Sequence, residues 1–488
     1  MKRQISVLLA AVMLMSASCG GTSETTEDTS SNASETTIEQ GSSRKNTPDT
    51  LPSDLDFGGH TITLISRHDY ELFKWEFYSE EETGDLLNDA VYARNRTVEE
   101  RLNVNLEVML AEGTWNQWST FFGLIQGAAL SGDGSIDIVP FYAYEQAGLA
   151  SQGLYINLLD SNVKYLDLSQ PWWNQSLVNS ATINDCLYFA TGEIAISSIA
   201  MMAAIAFNKN LADKYLPDAD FYNDVRDGKW TFDRLFDYSK NVYDDINGNS
   251  IADKSDIFGF DGGRGDQFIH SAGVEISKIG NDGIPVLALN NERMVRLVDI
   301  VQPFFSQPGY APLALRDNDV SNTLFQNGQL LFSNRYVRDI ASLRDMKDDY
   351  GVLPMPKLDE EQDGYYTTLG DSYSQVAIVV GTDDLDAAAA SMELLAAESY
   401  RSVTEVYFDN VLKVKYAHDE DTAEMLDILI SGIDVDFTEV YGKLIGTPMG
   451  KIRNCLNEKC PPFASTYASI EESVNTKIKS LFETFSNQ

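Results

Sequence analysis

The groups able to do chemistry are unevenly stocked in this chain. Against 74 acidic residues stand four histidines and four cysteines. His60, His68, His270 and His418 have no metal-ligand spacing between them. There is no G-x-S-x-G elbow, H-E-x-x-H pair or Walker A loop. Gly446–Lys451 falls one residue short of a phosphate loop. Arg264-Gly265-Asp266 spells an adhesion tripeptide, but three residues recur by chance in a long chain. Acid–base chemistry would therefore rest on carboxylates alone, and so many acids make accidental pairs common. What remains is aromatic rings beside acids: Trp172 and Trp173, then Tyr142 and Tyr144 with Glu145. Sugars stack their C–H faces on such rings, and their hydroxyls bond carboxylates, amides and guanidinium groups. Core packing would use the same rings, so of two adjacent tryptophans one is expected inside and one in a cleft.

A second pattern concerns a metal. Asp245–Asp256 reads DINGNSIADKSD. Asp245, Asn247, Asn249, Asp253 and Asp256 occupy loop positions one, three, five, nine and twelve, and Ile251 at position seven would offer its carbonyl. This is the spacing of an EF-hand calcium loop. It is most similar to the dockerin form, which also ends in aspartate. Ser250 stands where glycine makes the sharp turn, and Gly248 lies two residues earlier. The expected cofactor is a structural Ca²⁺; the competing reading is an Asx-rich surface turn.

These residues need a frame. Thr61–Ser66 and Ile136–Phe141 read as buried strands, and Asn103–Leu110 alternates as a half-buried one. Between them Leu87, Val91, Val98 and Leu102 repeat at helical spacing behind Asp85, a candidate N-cap, and a second helix covers Trp115–Leu130. The alternation predicts an α/β layer with a mainly parallel sheet, whose ligands gather at the carboxyl ends of strands. Tyr142, Tyr144 and Glu145 lie at such an end. The small apolar run within Ala195–Phe207 predicts a crossing into a second lobe, and Gln375–Val380 the return, with hinge residues near Ala203–Ala206 and Val376–Val379. Asp386–Tyr400 reads as an amphipathic helix, and the tail from Glu420 to Phe485 as mostly helical.

The 488 residues carry a formal net charge of −38, which disfavours nucleic acid and anionic membrane surfaces. Residues 1–18 read as a secretory signal: Lys2 and Arg3, the apolar Ile5–Met15, then Ser16-Ala17-Ser18 before Cys19. That cysteine resembles the lipidated cysteine of a bacterial lipobox, although Ser16 stands where leucine is usual. Residues 19–56 form an acidic Ser/Thr-rich tether too polar to fold. Lobe 1 is expected over 57–203 plus 376–415, and lobe 2 over 204–375 plus 416–488. Cys186 reads as a small buried residue, while Cys455 and Cys460 could pair in a disulfide or face apart on one helix.

Taken in order, Asp137-Ile138-Val139, Pro171-Trp172-Trp173-Asn174, Phe207-Asn208-Lys209, Lys229-Trp230-Thr231-Phe232, Phe325–Phe332 and Tyr350–Lys357 resemble the extracellular solute-binding proteins, family 1, of bacterial ABC importers. The resemblance implies a two-lobed type II periplasmic-binding-protein-like fold with hinge crossings and a helical C-terminal region. It implies capture of a carbohydrate, an oligosaccharide by expectation, for ABC permease subunits, with no catalysis. It places Glu193, Asp266, Tyr336, Asp371 and Tyr373 in the cleft. The protein is then expected to be a monomer, lipid-anchored through Cys19 on the outer face of the cytoplasmic membrane. The alternatives are a peptide or other nutrient binder, a glycan-binding surface adhesin, or a glycoside hydrolase.

Overall fold

The structure, a computed structural model, describes residues 44–68, 75–113, 116–316, 318–408, 420–457 and 461–486. The signal, most of the tether, Cys19, His418 and Cys460 lie outside the described residues. The described strands are β1 (His60–Arg67), β2 (Val104–Ala111), β3 (Ile138–Tyr142), β4 (Ala203–Asn208), β5 (Tyr243–Asp244), β6 (Ile257–Phe260), β7 (Ser277–Ile279), β8 (Pro285–Leu287), β9 (Leu330–Tyr336), β10 (Tyr350–Leu353) and β11 (Ser374–Ile378).

They form two main sheets. The first runs in the order β11-β3-β1-β2, the second β10-β4-β9-β6-β5, and β7 and β8 make a separate hairpin. In the first sheet β1 pairs in parallel with both β2 and β3. Parallel pairing needs covered faces and crossover helices. The helix Leu86–Leu102 supplies one crossover, capped by Asp85, which accepts from the amides of Leu87 and Asn88 at 3.1 and 3.0 Å. β2 is the edge strand and largely alternates half-buried with exposed residues, as its sequence predicts. β3 is buried throughout.

The second sheet departs from the expected parallel layer. Only β6 and β9 pair in parallel; β4 lies antiparallel to both β9 and β10. β4 enters the sheet directly from the first lobe and so runs against β9. β11 likewise returns antiparallel to β3. The expected hinge residues are therefore members of paired strands, and all six residues of β4 are buried. The connecting backbone lies just outside those strands. On the outward crossing that is Gly192 to Met202, through the short helix Ile196–Ala200. On the return it is the segment before β11, joined to the first crossing by the Met202–Leu369 bridge.

The helix Leu385–Glu398 is not amphipathic in place. Ala387 to Ala397 are all buried, because it packs on both β1 and the helix Leu86–Leu102. A run of four alanines lets it come close on several faces. The tail is helical as expected, ending in Phe463–Phe485, which buries Phe463, Tyr467, Ile470, Val474 and Ile478 at three- and four-residue intervals. No helix among the described residues is long and apolar enough to cross a membrane.

Candidate functional site

The carboxyl ends of β3, β6 and β9 converge on one cavity of about 560 Å³. Tyr144 reaches it from the helix Ala143–Ala150, which starts directly after β3. Tyr336, the last residue of β9, faces it from the second sheet. Arg264, Asp266 and Gln267 come from the turn after β6 and the start of the helix Gly265–Ser271. Asp371, Tyr373 and Gln375 lie on the return crossing and the head of β11. The remaining wall comes from short helices of the tail, through Glu439, Lys451 and Arg453. Gly265 permits that wall its close approach: a Cβ there would stand 2.4 Å from the Arg453 carbonyl oxygen.

Several of the charges pair. The Arg264 guanidinium holds Asp266 through Nη2 at 2.7 Å and Nε at 3.2 Å, with an Arg453 nitrogen 3.8 Å away. Glu439 meets the buried His270 at 2.7 Å. Burial alone would lower the His270 pKa, but the Glu439 carboxylate raises it to about 9, so the imidazole is a cation at neutral pH. Burial raises Glu439, and His270 opposes that rise. The three phenols titrate above their usual range, in each case chiefly through burial. Tyr144, Tyr336 and Tyr373 therefore keep their protons and can donate. Gln375 donates to the Tyr373 hydroxyl at 3.0 Å. Gln375 and Gln267 are 0 % and 3 % exposed, and each keeps a side-chain oxygen with no hydrogen-bond partner. A buried acceptor without a partner costs about 1–3 kcal/mol. A ligand hydroxyl could supply the missing donor.

Of the residues singled out in the sequence, Tyr144, Asp266, Tyr336, Asp371 and Tyr373 come together around this cavity. Five others lie elsewhere. Trp172 and Trp173 are 0 % and 2 % exposed and sit in the core. Both indole N–H groups donate to Glu393, at 3.2 and 2.9 Å, so the expected split of one buried and one exposed ring is corrected. A buried carboxylate with two donors turns both rings inward. Tyr142 is 5 % exposed and covered by the Arg67 guanidinium, 3.8 Å from its ring centroid. Glu145 is buried and pairs with Lys443, whose ammonium also lies over Trp118 and Tyr144. Glu193 pairs with Arg44 instead of facing the cleft. Cys186 is partly exposed rather than buried, and Cys455 is buried.

Gln267, Gln375, Glu439 and Arg453 were not among the expected site residues. Amides carry no motif, and the tail helices reach the cavity only through tertiary packing. Arg264 and Lys451 did stand in short motifs, but neither motif's chemistry is what places them here.

The loop Asp245–Asp256 closes on itself. Asp245 accepts from the amides of Gly248 and Ser250, each at 2.7 Å. Asn249 and Asn247 donate their side-chain N–H to Asp253, at 2.8 and 3.2 Å. Asp256 is fully buried and accepts from the amides of Ile246 and Asp253. Ile251 is exposed. Ser250 takes the left-handed conformation, φ 62°, at the position where the calcium loop turns sharply. The backbone therefore fits the loop type. Among the described residues, however, no three His, Cys, Asp or Glu side chains are gathered as a metal would need.

No family model matches the chain, and no curated protein matches it in sequence. Solved structures do match its fold. A cyclic α-maltosyl-1,6-maltose binding protein from Arthrobacter globiformis shares 15% identity, covering 87% of this chain and 100% of its own, with a TM-score of 0.59. An ABC transporter solute-binding protein from Thermotoga lettingae, bound to α-D-tagatose, shares 14% over 86% of this chain and 100% of its own, with a TM-score of 0.53. An ABC substrate-binding protein from Listeria monocytogenes, in complex with cycloalternan, shares 15% over 88% and 99%, with a TM-score of 0.51. The chain has the two-lobed α/β fold of the sugar-binding ABC solute-binding proteins.

Proposed function

We propose that this protein captures a carbohydrate, an oligosaccharide rather than a single ring, in the cavity between its sheets and delivers it unchanged to an ABC permease. The observation that carries the reading is the cavity's polarity. Three protonated phenols, two buried amide oxygens without partners, and Asp266 and Glu439 each held by a cation of the protein suit a neutral ligand rich in hydroxyls. The fold likeness to proteins crystallised with saccharides supports the same class. The protein would act as a monomer, held outside the cytoplasmic membrane through a lipidated Cys19. The loop Asp245–Asp256 would bind Ca²⁺ in a structural role, a reading supported by its ligand spacing and by the Ser250 turn.

Asp266, Asp371 and Glu439 are carboxylates in a sugar-sized cavity, which is the observation favouring a glycosidase. Asp266 and Glu439 are engaged by Arg264 and His270, which suits binding better than proton transfer. A thermal-shift screen against oligosaccharides and peptides, followed by chromatography of any hit after long incubation, separates the readings. Recovery of intact saccharide supports the binder; products of hydrolysis would make it an enzyme.

A further inference from the structure

The end of the tether does not leave the fold freely. Residues 44–51 lie as a strap along the first lobe, fixed by charge at several points. Asp49 takes Arg101 at 2.6 Å and Arg401 at 2.7 Å, and Arg401 also donates to the Thr47 carbonyl at 2.8 Å. Lys45 meets Glu405 at 3.0 Å. These contacts tie the strap to the helices behind the first sheet.

Arg44 does something different. Its guanidinium pairs with Glu193, donates to the Tyr400 carbonyl at 3.4 Å and stacks over the Tyr400 ring, 3.9 Å from its centroid. The Tyr400 ring in turn packs on Trp172, with centroids 6.1 Å apart. Trp172 holds the start of the outward crossing from the other side. Its carbonyl accepts from the Glu193 amide at 2.9 Å, and a Cβ on Gly192 would fall 2.0 Å from that oxygen. Glu193 is 8 % exposed, and only two residues separate it from the crossing helix Ile196–Ala200. Asp427, on the helix Glu420–Ser431 that packs on β10, is pushed up by burial and drawn back down by Arg44.

We infer that the strap is a hinge element: Arg44, through Glu193, sets how freely the crossing from Gly192 to Met202 moves, and thereby how tightly the cavity holds its ligand. Removing one partner of a buried pair leaves the other charge uncompensated, so Glu193 has to find water or a new partner. Either outcome loosens the backbone that carries it. Because closure of a two-lobed binder is a hinge rotation, a change in hinge freedom appears in affinity without any change in the cavity. Arg44 is thus a positioning residue acting through Glu193. The affinity part rests on the binding reading; the hinge part does not.

The test compares Arg44→Ala, the milder Arg44→Gln and Asp49→Ala in the full chain by hydrogen exchange of the amides of residues 194–203. The two Arg44 variants should raise exchange there at least threefold, while Asp49→Ala should lower the melting temperature without that local rise. For a saccharide that binds the wild type, calorimetry on the Arg44 variants should show Kd changed at least threefold. Unchanged exchange over 194–203 in both Arg44 variants overturns the inference. So does an equal rise in Asp49→Ala, which would make the strap a general support. If no saccharide binds the wild type, the binding reading fails and the exchange measurement still decides the hinge.

Discussion

At the scale of single residues, burial decides role more than residue type does. Trp172 and Trp173 were the strongest stacking candidates in the sequence, yet their indoles serve Glu393 in the core. Tyr336 and Asp266 line the cavity instead. The pair makes a clean contrast. Trp172→Ala should cost about 3–5 kcal/mol of stability, read by denaturant unfolding, through loss of a buried ring. Tyr336→Ala should weaken saccharide binding roughly tenfold or more, as hot-spot aromatics do, while lowering the melting temperature less than Trp172→Ala does. Glu393 gives a pH prediction. Burial lifts its pKa to about 7 from 4.5, against the pull of the two indole donors. Between those values the folded state binds more protons than the unfolded one, so this group makes stability fall as pH rises. Glu393→Gln should flatten that fall in melts taken from pH 4.5 to 7; an unchanged slope would count against the assignment.

At the scale of elements, the sequence was most readable where periodicity and burial agree. β2 alternates and lies half-buried at a sheet edge; β3 is an apolar run, β4 is apolar up to its last residue Asn208, and both are buried. Strand direction was not legible, because a crossing run such as Ala203–Asn208 gives no sign of the neighbour it will pair with. Nor was the cover on the helix Leu385–Glu398, whose charged ends suggested a solvent face that tertiary packing removes. The cavity was half legible. Tyr336, Asp371 and Tyr373 follow from the family resemblance, whereas the amides Gln267 and Gln375 carry no motif, and Glu439 and Arg453 reach it only once the tail helices have packed. The loop Asp245–Asp256 belongs to this scale too. Binding of Ca²⁺ would draw its oxygens off its own amides, and melts should then rise by a few degrees between chelator and millimolar calcium, since ligand binding stabilises by mass action. No shift at millimolar calcium removes the metal and leaves a self-satisfied Asx turn.

At the scale of the whole molecule, two sheets present strand ends to one cavity, two crossings join them, and a strap pins the outward crossing. The proposed anchor extends this outward. Replacing Cys19 by Ala should move the protein from the membrane to the soluble fraction, and unchanged membrane association would contradict lipidation there. The central claim is that the cavity between the lobes holds a neutral saccharide without transforming it. Calorimetric titration of the best oligosaccharide from a screen, into wild type and into Asp266→Ala and Tyr336→Ala, tests it most directly. The account predicts saturable one-to-one binding to the wild type, at least tenfold weaker binding to both variants, and intact saccharide recovered afterwards. Binding that both variants keep at full strength would place the site elsewhere, and a response to peptides alone, or hydrolysis of the saccharide, would contradict the function.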